Sequence, residues 1–207
     1  MNNNNYQCQS SPKNSSYIDV DIDAILLLNH NCNECSGNST SCCSCFEICI
    51  TKKEMARIIG VLPDAAKFRR SLALDDGYDN VFDALGGGQY CLDTDEDGLC
   101  VFAYTKDGKI LCSLHSAALN LGIPVEQVKP SPCLLWPLAL SEGKHKVLSV
   151  HDDVYEFACN SRKKSSAKKL RPAISEIVEW VFGIEFREQL DDAVSQGLNR
   201  VRILAPT

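Results

Sequence analysis

The sequence predicts an α+β fold: small antiparallel strands and helices around a cysteine-rich metal centre, with a C-terminal helical segment. Three observations predict it. Short alternating or β-rich runs are bounded by Gly, Asp and Pro turns. Helical periodicity is concentrated near the end of the chain. Twelve cysteines are present, six of them between Cys32 and Cys49 as C-x2-C-x6-C-C-x-C-x3-C.

Residues 1–16 are polar, rich in Asn and Ser and without periodicity, so a disordered tail is expected there. Ile18-Asp19-Val20-Asp21-Ile22-Asp23 alternates strictly, as a half-buried strand does. Ser36 to Ser41 has loop composition. Thr51 followed by Glu54 is a capping box, opening a helix that runs to about Gly60. A second helix is expected from Asp64, after Pro63, and a short one over 78–85, stopped by Gly86-Gly87-Gly88. That triple glycine lacks the spacing and the Gly-Lys-Ser/Thr ending of a phosphate loop and reads as a turn.

Val101–Tyr104 and Ile110–Cys112 predict a hairpin across Lys106-Asp107-Gly108-Lys109. Ser116 to Leu121 predicts a helical turn ended by Gly122. Lys129 to Cys133 contains Pro130 and Pro132 and is expected to be extended. Leu138–Leu140 and Lys146–Val150 suit a strand pair. From Ala173 to Leu198, Ile174, Ile177, Val178, Val181, Leu190 and Val194 recur at helical spacing, with a bend expected near Gly183. The domain reading is therefore a tail (1–16), a cysteine-rich domain (17–160), and a basic linker with C-terminal helices (161–207).

A chain of 207 residues can bury a sizeable core without covalent staples. Its thiols therefore point to chemistry. The N-terminus lacks a basic region followed by an apolar one, and no apolar run is long enough to cross a bilayer. The expectation is a cytoplasmic protein with no membrane association, whose thiols are reduced. Clustered cysteines in such a compartment read as metal ligands. A net charge of −6 argues against nucleic acid as a partner. The basic run Arg162, Lys163, Lys164, Lys168, Lys169 and Arg171 has no interleaved aromatics and reads as a solvated linker.

Cys32-Asn-Glu-Cys35 has the spacing by which one turn presents two thiolates to one ion. Adjacent Cys42 and Cys43 diverge, so they suit two metals, or one ligand and a neighbour. Cys100, Cys112 and Cys133 are scattered and must be gathered by folding, as some cluster ligands are. His115 is a possible nitrogen ligand or a half-buried helix-start residue. Asp93-Thr-Asp95-Glu-Asp97-Gly98 resembles the start of a calcium loop, but Tyr104 occupies the position of its final glutamate, so it reads as a polar turn. Soft thiolates select zinc, copper(I) or iron–sulfur clusters over hard cations.

Cys100-Val-Phe, Lys109-Ile-Leu-Cys112-Ser-Leu-His115 and Lys129-Pro-Ser-Pro-Cys133-Leu-Leu-Trp-Pro137 together resemble the zinc- or iron-chelating CxxCxxCC family. Cys32, Cys35 and the Cys42-Cys43 pair, followed by Ile50-Thr51-Lys-Lys-Glu54-Met-Ala-Arg-Ile58, look like the namesake cysteines and the helix after them. The chain departs from the family in having six residues between Cys35 and Cys42, and in Leu134 where an arginine is common. The resemblance implies metal binding by Cys32, Cys35, Cys42, Cys43, Cys100, Cys112, Cys133 and Cys159. It leaves Cys8, Cys45, Cys49 and Cys91 outside the set. It implies an iron–sulfur cluster or iron, with zinc as the alternative, and no particular reaction or protein partner.

Three functional expectations follow. The first is a metal-binding protein whose metal contributes directly to folding. The second is an iron–sulfur redox or radical-assisting enzyme, which would need an open coordination position; zinc in place of a cluster would instead make the chain an interaction module. The third is a thiol-redox protein built on Cys32 and Cys35, whose spacing lacks a βαβ context.

Overall fold

The computed structural model describes residues 16–32, 41–73, 81–141, 145–164 and 168–206. Cys8, Cys35 and most of the expected N-terminal tail lie outside the described residues. The architecture is α+β, with small, mainly antiparallel sheets and helices.

In chain order, β1 (Tyr17–Asp21) runs into α1 (Ile22–Leu27) and β2 (Leu28–His30). There follow α2 (Cys42–Cys45), β3 (Cys49–Thr51), α3 (Lys52–Ile59), α4 (Leu62–Ala65), β4 (Phe82–Gly86) and β5 (Gln89–Leu92). Next come β6 (Ala103–Lys106), β7 (Lys109–Cys112), α5 (Ser113–Leu121) and α6 (Ser131–Leu135). The chain continues with β8 (Leu138–Ser141), β9 (Lys146–Val150) and β10 (Asn160–Arg162). It closes with α7 (Pro172–Phe182), α8 (Ile184–Ser195) and β11 (Arg200–Leu204).

These elements form two compact units. One contains, of the described residues, 41–73 and 81–133; the other contains 16–32 and those from 134 onward. Strand β1, expected inside the cysteine-rich domain, thus belongs with the C-terminal helices.

The unit containing the chain's C-terminal part is built on a four-stranded sheet in the order β11-β1-β9-β8. The alternation of β1 buries Ile18 and Val20 and turns Asp19 outward, where Arg202 donates to both its carboxylate oxygens at 2.6 and 3.0 Å. The strand stops sooner than the alternation predicts. Asp21 caps α1 by accepting from the backbone N–H of Ala24, so Ile22 and Asp23 become helical. The core joins Ile18, Val20, Leu148 and Ile203 of the sheet to Ile174, Val178, Phe186 and Leu190 of α7 and α8. The bend is where expected: Gly183, at φ 87°, separates α7 from α8. Trp136 packs edge-on against Phe157, with ring centroids 4.6 Å apart.

The other unit contains the three-stranded sheet β3-β5-β4 and the hairpin β6-β7. The capping box forms as predicted: Glu54 N–H donates to Thr51 Oγ1, and Glu54 Oε2 accepts from Thr51 N–H at 2.8 Å. The β6-β7 hairpin also forms, although Val101 and Phe102 precede it in a turn. Helix α5 ends at Gly122 in the left-handed conformation, φ 66°.

Two local expectations are corrected. Of the helix expected over 78–85, residues 82–85 instead lie in β4, which pairs with β5 across the Gly87-Gly88 turn. Cross-strand pairing there overrides local propensity. Ser131 to Cys133 is helical instead of extended. Proline is tolerated in the first turn of a helix, and Glu54 holds the start of α6 from a remote part of the chain.

Candidate functional site

Four thiols of the first-described cysteine segments, Cys42, Cys100, Cys112 and Cys133, belong to the unit with the β6-β7 hairpin. Cys42 opens α2, whose start is fixed by Ser44: its hydroxyl donates to the Ser41 carbonyl at 3.0 Å. The backbone N–H of Cys100 donates to the Cys43 carbonyl at 2.8 Å, tying α2 to the Cys100 turn. Cys112 ends β7 directly opposite Ala103, and Ser113 N–H donates to the Phe102 carbonyl at 2.8 Å. Cys133 lies in α6.

The placement of α6 rests on Glu54. Its Oε1 accepts from Ser131 N–H at 2.9 Å and from the Ser131 hydroxyl at 2.7 Å, while Oε2 serves Thr51. One buried carboxylate therefore caps α3 and α6 together. Arg69 organises the opposite flank. Its guanidinium donates to the carbonyls of Cys100 and Ala103 and to Asp95 Oδ2 at 2.6 Å. Asp95 also accepts from the N–H groups of Asp97 and Leu99, which makes the acidic segment a polar turn.

The thiols of Cys100 and Cys133 are both shifted by their surroundings. Burial pushes the Cys100 thiol up to about 12; the Phe102 N–H donated to its sulfur and the Arg69 charge oppose this, while Cys112 and Cys42 add to it. Burial likewise raises Cys133 well above the usual thiol range. Lys129 opposes that shift, and Cys100, Cys112 and Cys42 reinforce it. Cys133 as a residue is half-buried. His115 lies in the first turn of α5, where burial and then the Lys129 charge pull its imidazole below the usual range. Ser113, adjacent to Cys112, is fully buried, and its hydroxyl has no hydrogen-bond partner among the described residues.

Among the described residues, no three His, Cys, Asp or Glu side chains are drawn together as a metal-holding group. Cys100 and Cys133 are nonetheless each influenced by Cys42 and Cys112.

The other expected ligands are placed differently. Cys43 is half-buried beside Cys42, and Cys35 lies outside the described residues. Cys32 and Cys159 belong to the other unit. There β10 pairs with β2, and Asn31 N–H donates to the Cys159 carbonyl at 2.8 Å. Asn160 Nδ2 donates to the buried Cys159 sulfur at 3.4 Å, and its Oδ1 meets His30 Nδ1 at 2.7 Å. Cys32 is exposed.

Cys49 is disulfide-bonded, which departs from the fully reduced set of thiols expected from the sequence. Cys45 is an exposed thiol and Cys91 a buried one.

Sequence reasoning missed Arg69, Lys129 and Ser113 and saw only half of the role of Glu54. The capping box identified Glu54 as a local group, but nothing local signals its bond to Ser131. Of the basic run, Arg171 serves the fold by donating from Nε to the Leu28 carbonyl at 3.0 Å. Among the described residues, no helix is long and apolar enough to cross a membrane. No family model matches the chain, and no curated protein or solved structure matches it.

Proposed function

We propose that this is a cytoplasmic metal-binding protein whose ligands are the thiolates of Cys42, Cys100, Cys112 and Cys133. The observation that carries the reading is that separate segments of one unit are tied together at these cysteines: Cys100 N–H bonds the Cys43 carbonyl, Cys112 pairs with Ala103, and Glu54 holds the start of the helix that bears Cys133. Four soft sulfur donors suit tetrahedral zinc or an iron–sulfur cluster and suit magnesium or calcium poorly. The resemblance to the CxxCxxCC family supports the same chemistry and favours iron or a cluster, with zinc as the alternative.

The surroundings fit a charged sulfur centre. Arg69 and Lys129 bring positive charge to thiols that become negative on ligation. Phe102 N–H already donates to the Cys100 sulfur, and the buried Ser113 hydroxyl lacks the acceptor that a thiolate would be. Bound metal would supply a fixed cross-link between α2, the Cys100 turn, β7 and α6.

Chelation tests this directly. Treatment of the purified protein with a strong chelator should lower its thermal stability, and Cys112→Ser or Cys133→Ser should reproduce the loss. Unchanged melting temperatures in all three samples would contradict the proposal. Broad visible absorption in protein purified without oxygen would identify a cluster, and a colourless protein containing zinc would identify the alternative.

A further inference from the structure

Cys49 and Cys91 face each other directly across the antiparallel pair β3-β5. Leu92 N–H donates to the Ile48 carbonyl at 2.9 Å, so 48 and 92 form a hydrogen-bonded pair. Antiparallel ladders alternate, which makes Cys49 and Cys91 a non-hydrogen-bonded pair, with Cα atoms about 4.5 Å apart in ordinary geometry. Their side chains share one face of the sheet. A disulfide spans Cα separations of roughly 4.4–6.8 Å, so this register can accept one with small adjustment. Cys49 is already in a disulfide, while Cys91 is a thiol buried beside it.

We propose that Cys91 and Cys49 form a thiol–disulfide exchange switch, in which Cys91 takes over the disulfide bond of Cys49. The Cys91 thiolate attacks Cys49 Sγ. The bond between Cys49 and its present sulfur partner breaks, a Cys49–Cys91 bond forms, and the displaced sulfur leaves as a thiolate. The proton lost by Cys91 ends on that leaving sulfur. One disulfide and one thiol stand on each side of the step, so no oxidant or reductant is consumed.

The residues around Cys91 set the rate. The Cys91 thiol donates to the Leu92 carbonyl at 3.5 Å and also interacts with the Glu47 carboxylate. Burial, Glu47, Asp83 and Asp93 together push Cys91 up to about 12. Asp83 acts from β4, where it is the register partner of Cys91 on the other side. Thiolate is therefore scarce near neutrality, and the exchange is slow there. Its rate should climb about tenfold per pH unit as the thiolate fraction rises. The switch moves the free thiol from Cys91 to the displaced sulfur without changing the count. It is independent of the proposed metal centre, because none of the four proposed ligands takes part.

Disulfide mapping tests it. Protein purified without reductant is incubated without oxygen from neutral to alkaline pH, quenched in acid, alkylated in denaturant, digested and analysed by mass spectrometry. The expected result is a Cys49–Cys91 linked peptide that accumulates faster at higher pH while the number of alkylated thiols stays constant. Cys91→Ser should abolish that peptide and preserve the original Cys49 linkage; Cys45→Ser, removing an exposed neighbouring thiol, should leave it intact. The proposal is overturned if Cys91 is fully alkylated and Cys49 keeps its original partner at every pH. It is equally overturned if the new linkage forms only with a loss of thiols, or only in denaturant.

Discussion

Glu54 is the residue on which the proposed thiol group depends without belonging to it. It is 7% exposed and accepts four hydrogen bonds, from the N–H and hydroxyl of Thr51 and of Ser131. Burial alone would raise its carboxyl, but the donors from Thr51 and Ser131 outweigh it and hold Glu54 below the ordinary range. A depressed folded value means that the ion stabilises the fold at neutral pH. That contribution is lost as pH falls from the unfolded value through the lower folded one. Glu54→Ala should cost about 2–3 kcal/mol, because several buried donors lose a charged acceptor. Denaturant titration checks the size, and the gap between wild type and variant should narrow as pH falls through the carboxylate range. A gap independent of pH would contradict the role given to the charge. The Thr51–Glu54 half of this network was legible in the sequence, since a capping box is a spacing. The Ser131 half was not, because it joins positions 77 residues apart.

At the scale of elements, the readable parts were those whose causes are local. The hairpin over 103–112 follows from an Asp-Gly turn between apolar runs, and both glycines that end or bend helices, Gly122 and Gly183, stand at positive φ. Two strands set by distant partners were read wrongly or not at all. Strand β4 acquires its conformation from β5, and β11 from β1, where Ile203 lies opposite Ile18. Helix α8 owes its stability to a buried face: Leu190 is fully enclosed among sheet and helix side chains. Leu190→Ala should destabilise the protein by about 3 kcal/mol, whereas replacing the exposed Glu188 with Ala should change stability by under about 0.5 kcal/mol. Equal effects at the two positions would show that α8 does not bury Leu190 as described.

At the scale of the whole molecule, the cysteines divide between two units, which no spacing in the sequence reveals. Cys42, Cys43, Cys100, Cys112 and Cys133 go to one unit, and Cys32 and Cys159 to the other. The family resemblance gathered these residues into one ligand set with Cys35; folding sorts the described ones by which β ladders and helices they join. The hairpin, the Cys43–Cys100 backbone bond and the Glu54–Ser131 bond place the segments that carry Cys100, Cys112 and Cys133.

The most direct test of the metal reading is the metal content of protein purified without oxygen, measured for wild type and two sets of variants. The account predicts bound iron or zinc at a fixed stoichiometry in wild type. Cys100→Ser or Cys133→Ser should lose most of it, and Cys32→Ser or Cys159→Ser should retain it. Metal-free wild-type protein, or the same metal content in all four variants, would contradict the account.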